Sequence, residues 1–279
     1  MSTALASARR CPTTRRALIP VLLAALGLLG ARAVGHAADF PAAPSAGRPV
    51  VVELFTSQGC SSCPPADRLL ARLGAERGPG IVPLAFHVDV WNSLGWNDPF
   101  SKRAWTERQS AYTTRLGVLQ VTPQAIVNGR MEVVGADEAK LRRALVEAAA
   151  LPAAEIRLTL EPERKSVRVR AEVARPTALA GRKLDLLFAV FETGLVTPVA
   201  RGENGGRELH DEFVVRSLTR IARLAATPQS AATSSESESL PLAAEWRRGA
   251  LGVAALVQDA ETLEIVGAAA LRLPVAAPG

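Results

Sequence analysis

The chain has 279 residues, with 33 Lys and Arg against 27 Asp and Glu and a formal net charge of +6. Five of the basic residues and none of the acids fall in the first 38 positions, which leaves 28 against 27 beyond them. That balance gives no electrostatic case for nucleic acid or an anionic lipid surface, and three cysteines are too few for a disulfide framework.

Arg9, Arg10, Arg15 and Arg16 precede an apolar run from Ala17 to Gly30. The run is too short for a spanning helix and reads as the core of an export signal over 1–38. Small residues follow at Ala31-Arg32-Ala33 and Gly35-His36-Ala37, as cleavage requires. Thr14 to Ile19 loosely resembles a twin-arginine signal, with ordinary export the preferred reading. A periplasmic or secreted location is therefore expected. Residues 39–49 carry three prolines and read as a linker. No later run is long and apolar enough to cross a bilayer, so no membrane span is expected in the mature chain.

Val50 to Phe55 is a β-branched apolar run and predicts a buried strand. Pro64-Pro65 suits the first turn of a helix, where a missing N–H costs nothing. That helix runs to about Arg77 and stops at Gly78-Pro79-Gly80. Ile81 to Val90 predicts a second strand, and Pro99 to Leu116 a second helix. Gln124 to Val127 and Met131 to Val134 flank Asn128-Gly129, a strong hairpin signal. Asp137 to Ala150 is helical. The order β-α-β-α-β-β-α predicts a thioredoxin-like α/β domain over 50–151. Beyond Pro152, short alternating runs predict a mostly antiparallel β-sandwich-like domain over 152–279. These runs are Glu155–Leu160, Ser166–Val173, Leu184–Thr193, Phe213–Leu218, Leu251–Asp259 and Thr262–Leu273. Ala226 to Glu238 is rich in Ser, Thr and Ala and reads as a flexible loop.

Cys11 lies in the expected signal, so Cys60 and Cys63 are the cysteines that remain. A bridge between them closes so small a loop that it adds little stability. The pair in Cys60-Ser61-Ser62-Cys63 therefore reads as redox chemistry. Cys60 is expected to be exposed at a helix N-terminus, where the dipole favours its thiolate. It would attack a substrate disulfide, and the more buried Cys63 would resolve the mixed disulfide. The partner is a protein or small thiol or disulfide, and no cofactor is called for.

In thioredoxin-like proteins a cis-proline faces the dithiol and the residue before it offers backbone groups to substrate. Thr122-Pro123 stands where that pair belongs and is expected to be cis. Glu53 sits inside an apolar strand and is either a buried proton acceptor for the resolving thiol or an edge residue facing solvent. His87 and Asp89 alternate on one strand face. They read as a polar pair, with an alternative in which His87 joins Cys60 and Cys63 as a copper ligand in a non-enzymatic binding protein. Another alternative is an interaction module without chemistry. Trp91, Trp96 and Trp105 either line the site through the loop Trp91 to Phe100 or fill core, with Trp91 and Trp96 the substrate-binding candidates. Arg201 to Arg207 reads as a hairpin turn whose side chains pair internally.

These residues together resemble a family of exported bacterial proteins described as domain of unknown function 1223, within the thioredoxin-like superfamily. The likeness rests on Glu53 to Asp67, Phe86-His87-Val88-Asp89, Trp91 to Phe100, Thr122-Pro123-Gln124 and Gly202-Glu203-Asn204. It implies a thioredoxin-like domain joined to a β-rich one, and it implies no particular substrate.

Overall fold

The computed structural model describes residues 48–76, 80–225 and 231–274. The expected export signal, all but the end of the expected linker, and Gly78-Pro79 of the expected helix stop lie outside the described residues.

The apolar run Val50–Thr56 forms β1 and is buried along its whole length. Strand alternation sorts its side chains. Val50, Val52 and Leu54 pack toward α1 (Pro64–Ala75) and α3 (Glu138–Ala149), while Val51 and Phe55 face Trp105 and Tyr112 of α2 (Arg103–Leu116). β2 (Ile81–His87) pairs parallel with β1, from Val50 opposite Ile81 to Thr56 opposite His87. β3 (Gln124–Val127) pairs antiparallel on the other side of β1, and β4 (Met131–Val134) returns beside it. Asn128 and Gly129 both have positive φ, 47° and 67°, as a tight hairpin turn requires.

The second half supplies β5 (Glu155–Pro162), β6 (Ser166–Arg175), β7 (Leu184–Glu192), β8 (Leu195–Pro198), β9 (Glu208–Asp211), β10 (Val214–Leu224), β11 (Ala232–Pro241), β12 (Leu251–Asp259) and β13 (Ile265–Arg272). β11, β6 and β5 form a three-stranded sheet, and β8 and β9 a separate hairpin. The main sheet has eight strands in the order β13-β12-β7-β10-β2-β1-β3-β4.

This architecture corrects the expectation of a thioredoxin-like α/β domain followed by a separate β-sandwich. The predicted elements lie near their expected positions, and β8, β9 and β11 add to them, but the structure is mostly β, with three α-helices among the described residues. Its large mixed sheet runs through both halves. The join is main-chain pairing: Val214 of β10 sits opposite Ala85 of β2, and Ala85 N–H donates to Phe213 O at 2.8 Å. The physical cause lies in β7 and β12, which are buried at every position. Such strands need cover on both faces. Leu184, Leu186, Phe188 and Val190 pack on the small sheet. Leu187, Ala189 and Phe191 join one cluster with Phe55, Phe86 and Trp105, so the two halves share a core.

A second correction concerns Ala226 to Glu238. Residues 226–230 lie outside the described residues, and from Ala232 onward the segment belongs to β11, which pairs with β6 over ten positions as far as Pro241. Its Ser and Glu residues alternate with the required period, although the apolar half of the pattern is missing. Among the described residues no helix is long and apolar enough to cross a membrane.

Candidate functional site

Cys60 and Cys63 lie at the start of α1 and are joined as a disulfide, with Cα atoms 5.5 Å apart. Cys63 is the residue before Pro64, and its carbonyl accepts from the N–H groups of Ala66 and Asp67 at 2.8 and 3.2 Å. Ser61 and Ser62 between the cysteines are exposed, but both cysteines are fully buried. The expected exposure of Cys60 is therefore corrected, and three segments account for it.

The first is the approach to β3. Thr122 Oγ1 lies 3.5 Å and its carbonyl oxygen 3.9 Å from Cys60 Sγ, and the Thr122–Pro123 peptide is cis. The second is the loop after β2. Trp91 Nε1 donates to Thr122 Oγ1 at 2.8 Å. Its Cβ presses so closely on Gly59 that a side chain there would meet it at 2.9 Å. The third is the loop joining β8 to β9. Asn204 Nδ2 donates to the carbonyls of Gln58 and Cys60, each at 2.9 Å, and Ser61 N–H donates to Glu203 Oε2 at 2.9 Å. Gly202 in the same loop has φ +80°, and a side chain on it would meet Trp96 Cβ at 3.1 Å. The hairpin expected at Arg201–Arg207 is present and Arg207 bonds Asn204 internally, but its tip also reaches the cysteine turn.

Behind this turn lies a buried polar network. Gln58 N–H donates to Asp98 Oδ2 at 2.8 Å, and the same oxygen is 2.7 Å from His87 Nδ1. Gln58 Nε2 donates to Asp211 Oδ2 at 2.7 Å, while its Oε1 accepts from Trp96 Nε1 at 3.1 Å. His87 Nε2 faces Asp211 Oδ1 at 4.0 Å. Asp67, one turn along α1 from Cys63, accepts from the Thr56 hydroxyl at 2.7 Å.

Burial works against a charged His87, but Asp98, then Asp211 and Asp67, outweigh it and raise its pKa to about 9. Burial also opposes a charged Asp98; His87 and the N–H groups of Gln58 and Phe100 overcome that and hold it below the usual carboxylate range. Asp211 is pushed up by burial, against the pull of His87 and Gln58. Burial, reinforced by Asp211, raises Asp67 to about 7.

The other predicted residues fall elsewhere. Glu53 points to the α2 face of β1, opposite α1. It pairs with Arg108 Nε at 2.7 Å and accepts a short hydrogen bond from the Tyr112 hydroxyl. It is neither beneath the dithiol nor at an exposed edge. Asp89 bonds Thr106, not His87, because β2 ends at His87 and the alternation stops there. Trp91 and Trp96 border the site, whereas Trp105 packs edge-on against Phe86 in the core. His87 bonds Asp98 through Nδ1, and its buried Nε2 faces Asp211 at 4.0 Å without a hydrogen bond. Among the described residues no group of three or more His, Cys, Asp or Glu is placed to hold a metal ion, so the set Cys60, Cys63 and His87 does not fit one.

Sequence reasoning gave no role at the site to Gln58, Asp67, Asp98 or Asn204, although they lie in the stretches that carry the likeness, and it did not single out Asp211. Asp67 carried a usable signal, since a residue four after Cys63 shares its face of a helix. Asp211 lies 153 residues beyond Gln58 and had no local signal, and Asn204 stood in the Gly202-Glu203-Asn204 match with nothing local to tie it to Cys60, 144 residues earlier. As a whole, the site presents a two-electron acceptor beside carboxyls able to hold or release a proton.

Comparison with known proteins agrees with a shared fold and offers no assigned activity. No curated protein matches the chain. A crystal structure of a protein from Agrobacterium tumefaciens is similar at 30% identity and a TM-score of 0.63, over 85% of this chain and 99% of that one. HBP35 of Porphyromonas gingivalis is similar in fold at 19% identity and a TM-score of 0.59, over 85% of this chain and 80% of that one. The match to a family over residues 51–258 takes in the cysteine turn, the tryptophan loop and the Asn204 hairpin together, and the chain belongs to that family, described as protein of unknown function (DUF1223).

Proposed function

We propose that the chain carries out thiol–disulfide exchange through Cys60 and Cys63, acting as an exported oxidoreductase on a protein or small-thiol partner. A partner thiolate bonds to Cys60 Sγ, the bond between the two sulfurs breaks, and Cys63 leaves as a thiolate that takes up a proton. A second partner thiolate then displaces Cys60 from the mixed disulfide. The partner departs oxidised by two electrons and the cysteine pair is left as a dithiol. The same steps in reverse reduce a partner disulfide.

The observation that carries this reading is the cysteine pair at the start of α1 with the Thr122 hydroxyl and carbonyl set against Cys60. Export is part of the reading and rests on the arginines and apolar run before Gly30.

Trapping and redox titration test it. Cys63→Ser should accumulate a mixed disulfide through Cys60, and Cys60→Ser should accumulate none. Titration of the purified chain against glutathione should place the pair above about −300 mV, the range below which disulfides are structural. A lower potential, or equal trapping by both variants, overturns the reading.

A further inference from the structure

Asn204 is fully buried at the tip of a hairpin whose neighbouring residues Glu203, Gly205, Gly206 and Arg207 are exposed. A buried amide demands partners, and both of its donated bonds go to main-chain carbonyls, those of Gln58 and Cys60. Arg207 has only donors to offer, so its 3.0 Å bond to Asn204 Oδ1 fixes which end of the amide faces the cysteine turn. Two other pins act on the same four residues. Asp98 holds Gln58 N–H and Glu203 holds Ser61 N–H. The turn carrying Cys60 is thus held from outside by groups whose hydrogen bonds do not involve either sulfur.

We infer that Asn204 is a positioning residue that holds the cysteine turn in its closed form and so sets how readily the disulfide is reduced. This rests on the exchange reading above and extends it to a residue from the far half of the chain. A disulfide is favoured when its two thiols are kept near each other, because a fixed turn gives them a high effective concentration. Without the Asn204 bonds, the reduced turn gains conformational freedom that the oxidised turn cannot use, and the dithiol becomes the easier state to reach.

The test is the equilibrium of the full chain with reduced and oxidised glutathione, in which one protein disulfide and two glutathione thiols give one protein dithiol and one glutathione disulfide. Asn204→Ala should lower the stability of the disulfide about tenfold, a rise of about 30 mV for a two-electron couple. Asn204→Ser, which keeps one donor, should fall between. It carries the test alone if the alanine variant does not fold. Arg201→Ala, in the same loop but without a hydrogen bond to the turn, should match the wild type. An Asn204 variant within twofold of the wild type overturns the inference while leaving the exchange reading intact. A wild-type pair that glutathione cannot reduce sinks the exchange reading instead, and the same comparison against dithiothreitol then decides the role of Asn204.

Discussion

Asp67 accepts a 2.7 Å hydrogen bond from the Thr56 hydroxyl, which ties a carboxyl of α1 to the end of β1 one turn behind Cys63. Burial raises its pKa from 3.8 to about 7, so the folded protein binds this proton more tightly than the unfolded chain. The stability it contributes is complete below pH 3.8 and is lost as pH rises to 7. Asp67→Asn keeps an acceptor for Thr56 and never carries the charge. It should be more stable than wild type by about 4 kcal/mol at pH 8, with most of the difference gone near pH 4 in urea unfolding. If Asp67 also takes the Cys63 proton, the inflection near pH 7 in the exchange rate should disappear with it.

His87 titrates at a different point with the same sign. Its pKa rises from 6.5 to about 9 on folding, through Asp98 first among the groups that favour its charge. The stability it contributes is complete below pH 6.5 and lost as pH climbs through 9. His87→Ala leaves Asp98 charged and buried without its cation, which should cost about 3–5 kcal/mol at pH 6. The loss should shrink at pH 9.5, where the wild-type imidazole is neutral too. Equal losses at both pH values, read from denaturant midpoints, would show that no ion pair exists.

Glu53 separates structure from chemistry. Its carboxylate neutralises Arg108, which is 14% exposed, and takes the Tyr112 hydroxyl, on the sheet face turned away from α1. Glu53→Ala should destabilise the fold by about 3–5 kcal/mol, the usual cost of orphaning a buried charge. Exchange measured well below the melting temperature should stay at the wild-type rate. A loss of exchange in a variant shown to be folded would give Glu53 the proton-transfer role that its position argues against.

Gly59 has no room for a side chain, since a Cβ would sit 2.9 Å from that of Trp91. Gly59→Ala should push Trp91 outward, weaken its bond to Thr122 and cost about 1–3 kcal/mol. Tryptophan fluorescence should shift to the red and reduced Cys60 should be alkylated faster than in the wild type. An unchanged spectrum would mean that Trp91 does not cover the cysteine turn.

Much of the local structure was legible because single residues announce it. Pro64-Pro65 starts α1, Asn128-Gly129 turns β3 into β4, and runs of Val, Leu and Phe mark β1, β7 and β12. The join between β10 and β2 was not legible, because main-chain pairing at Val214 and Ala85 leaves no side-chain signature. β11 was hidden for a related reason: its polar residues are held by ten-position pairing with β6 and not by their own apolar pattern. The site divides in the same way. Cys60, Cys63, Thr122 and Trp91 stood out by chemistry and position. Glu53 misled because its strand alternation places it with Val51 and Phe55, away from Leu54, Thr56 and the helix that carries the cysteines. Asn204 and Asp211 reach the site only through tertiary folding.

The seam between β2 and β10 also bears on how the chain reaches its native state. During synthesis β1 to β4 emerge first, with one long side of β2 exposing unpaired amides until Val214 is made well over a hundred residues later. An open strand edge of that kind invites pairing with another chain, and contacts so distant in sequence form slowly. Fragments ending before β10 should therefore associate with one another in solution. The complete chain should refold with a lag that lengthens when Phe213 is replaced by proline, whose ring cannot adopt the φ of 56° that aims the Phe213 carbonyl at Ala85 N–H.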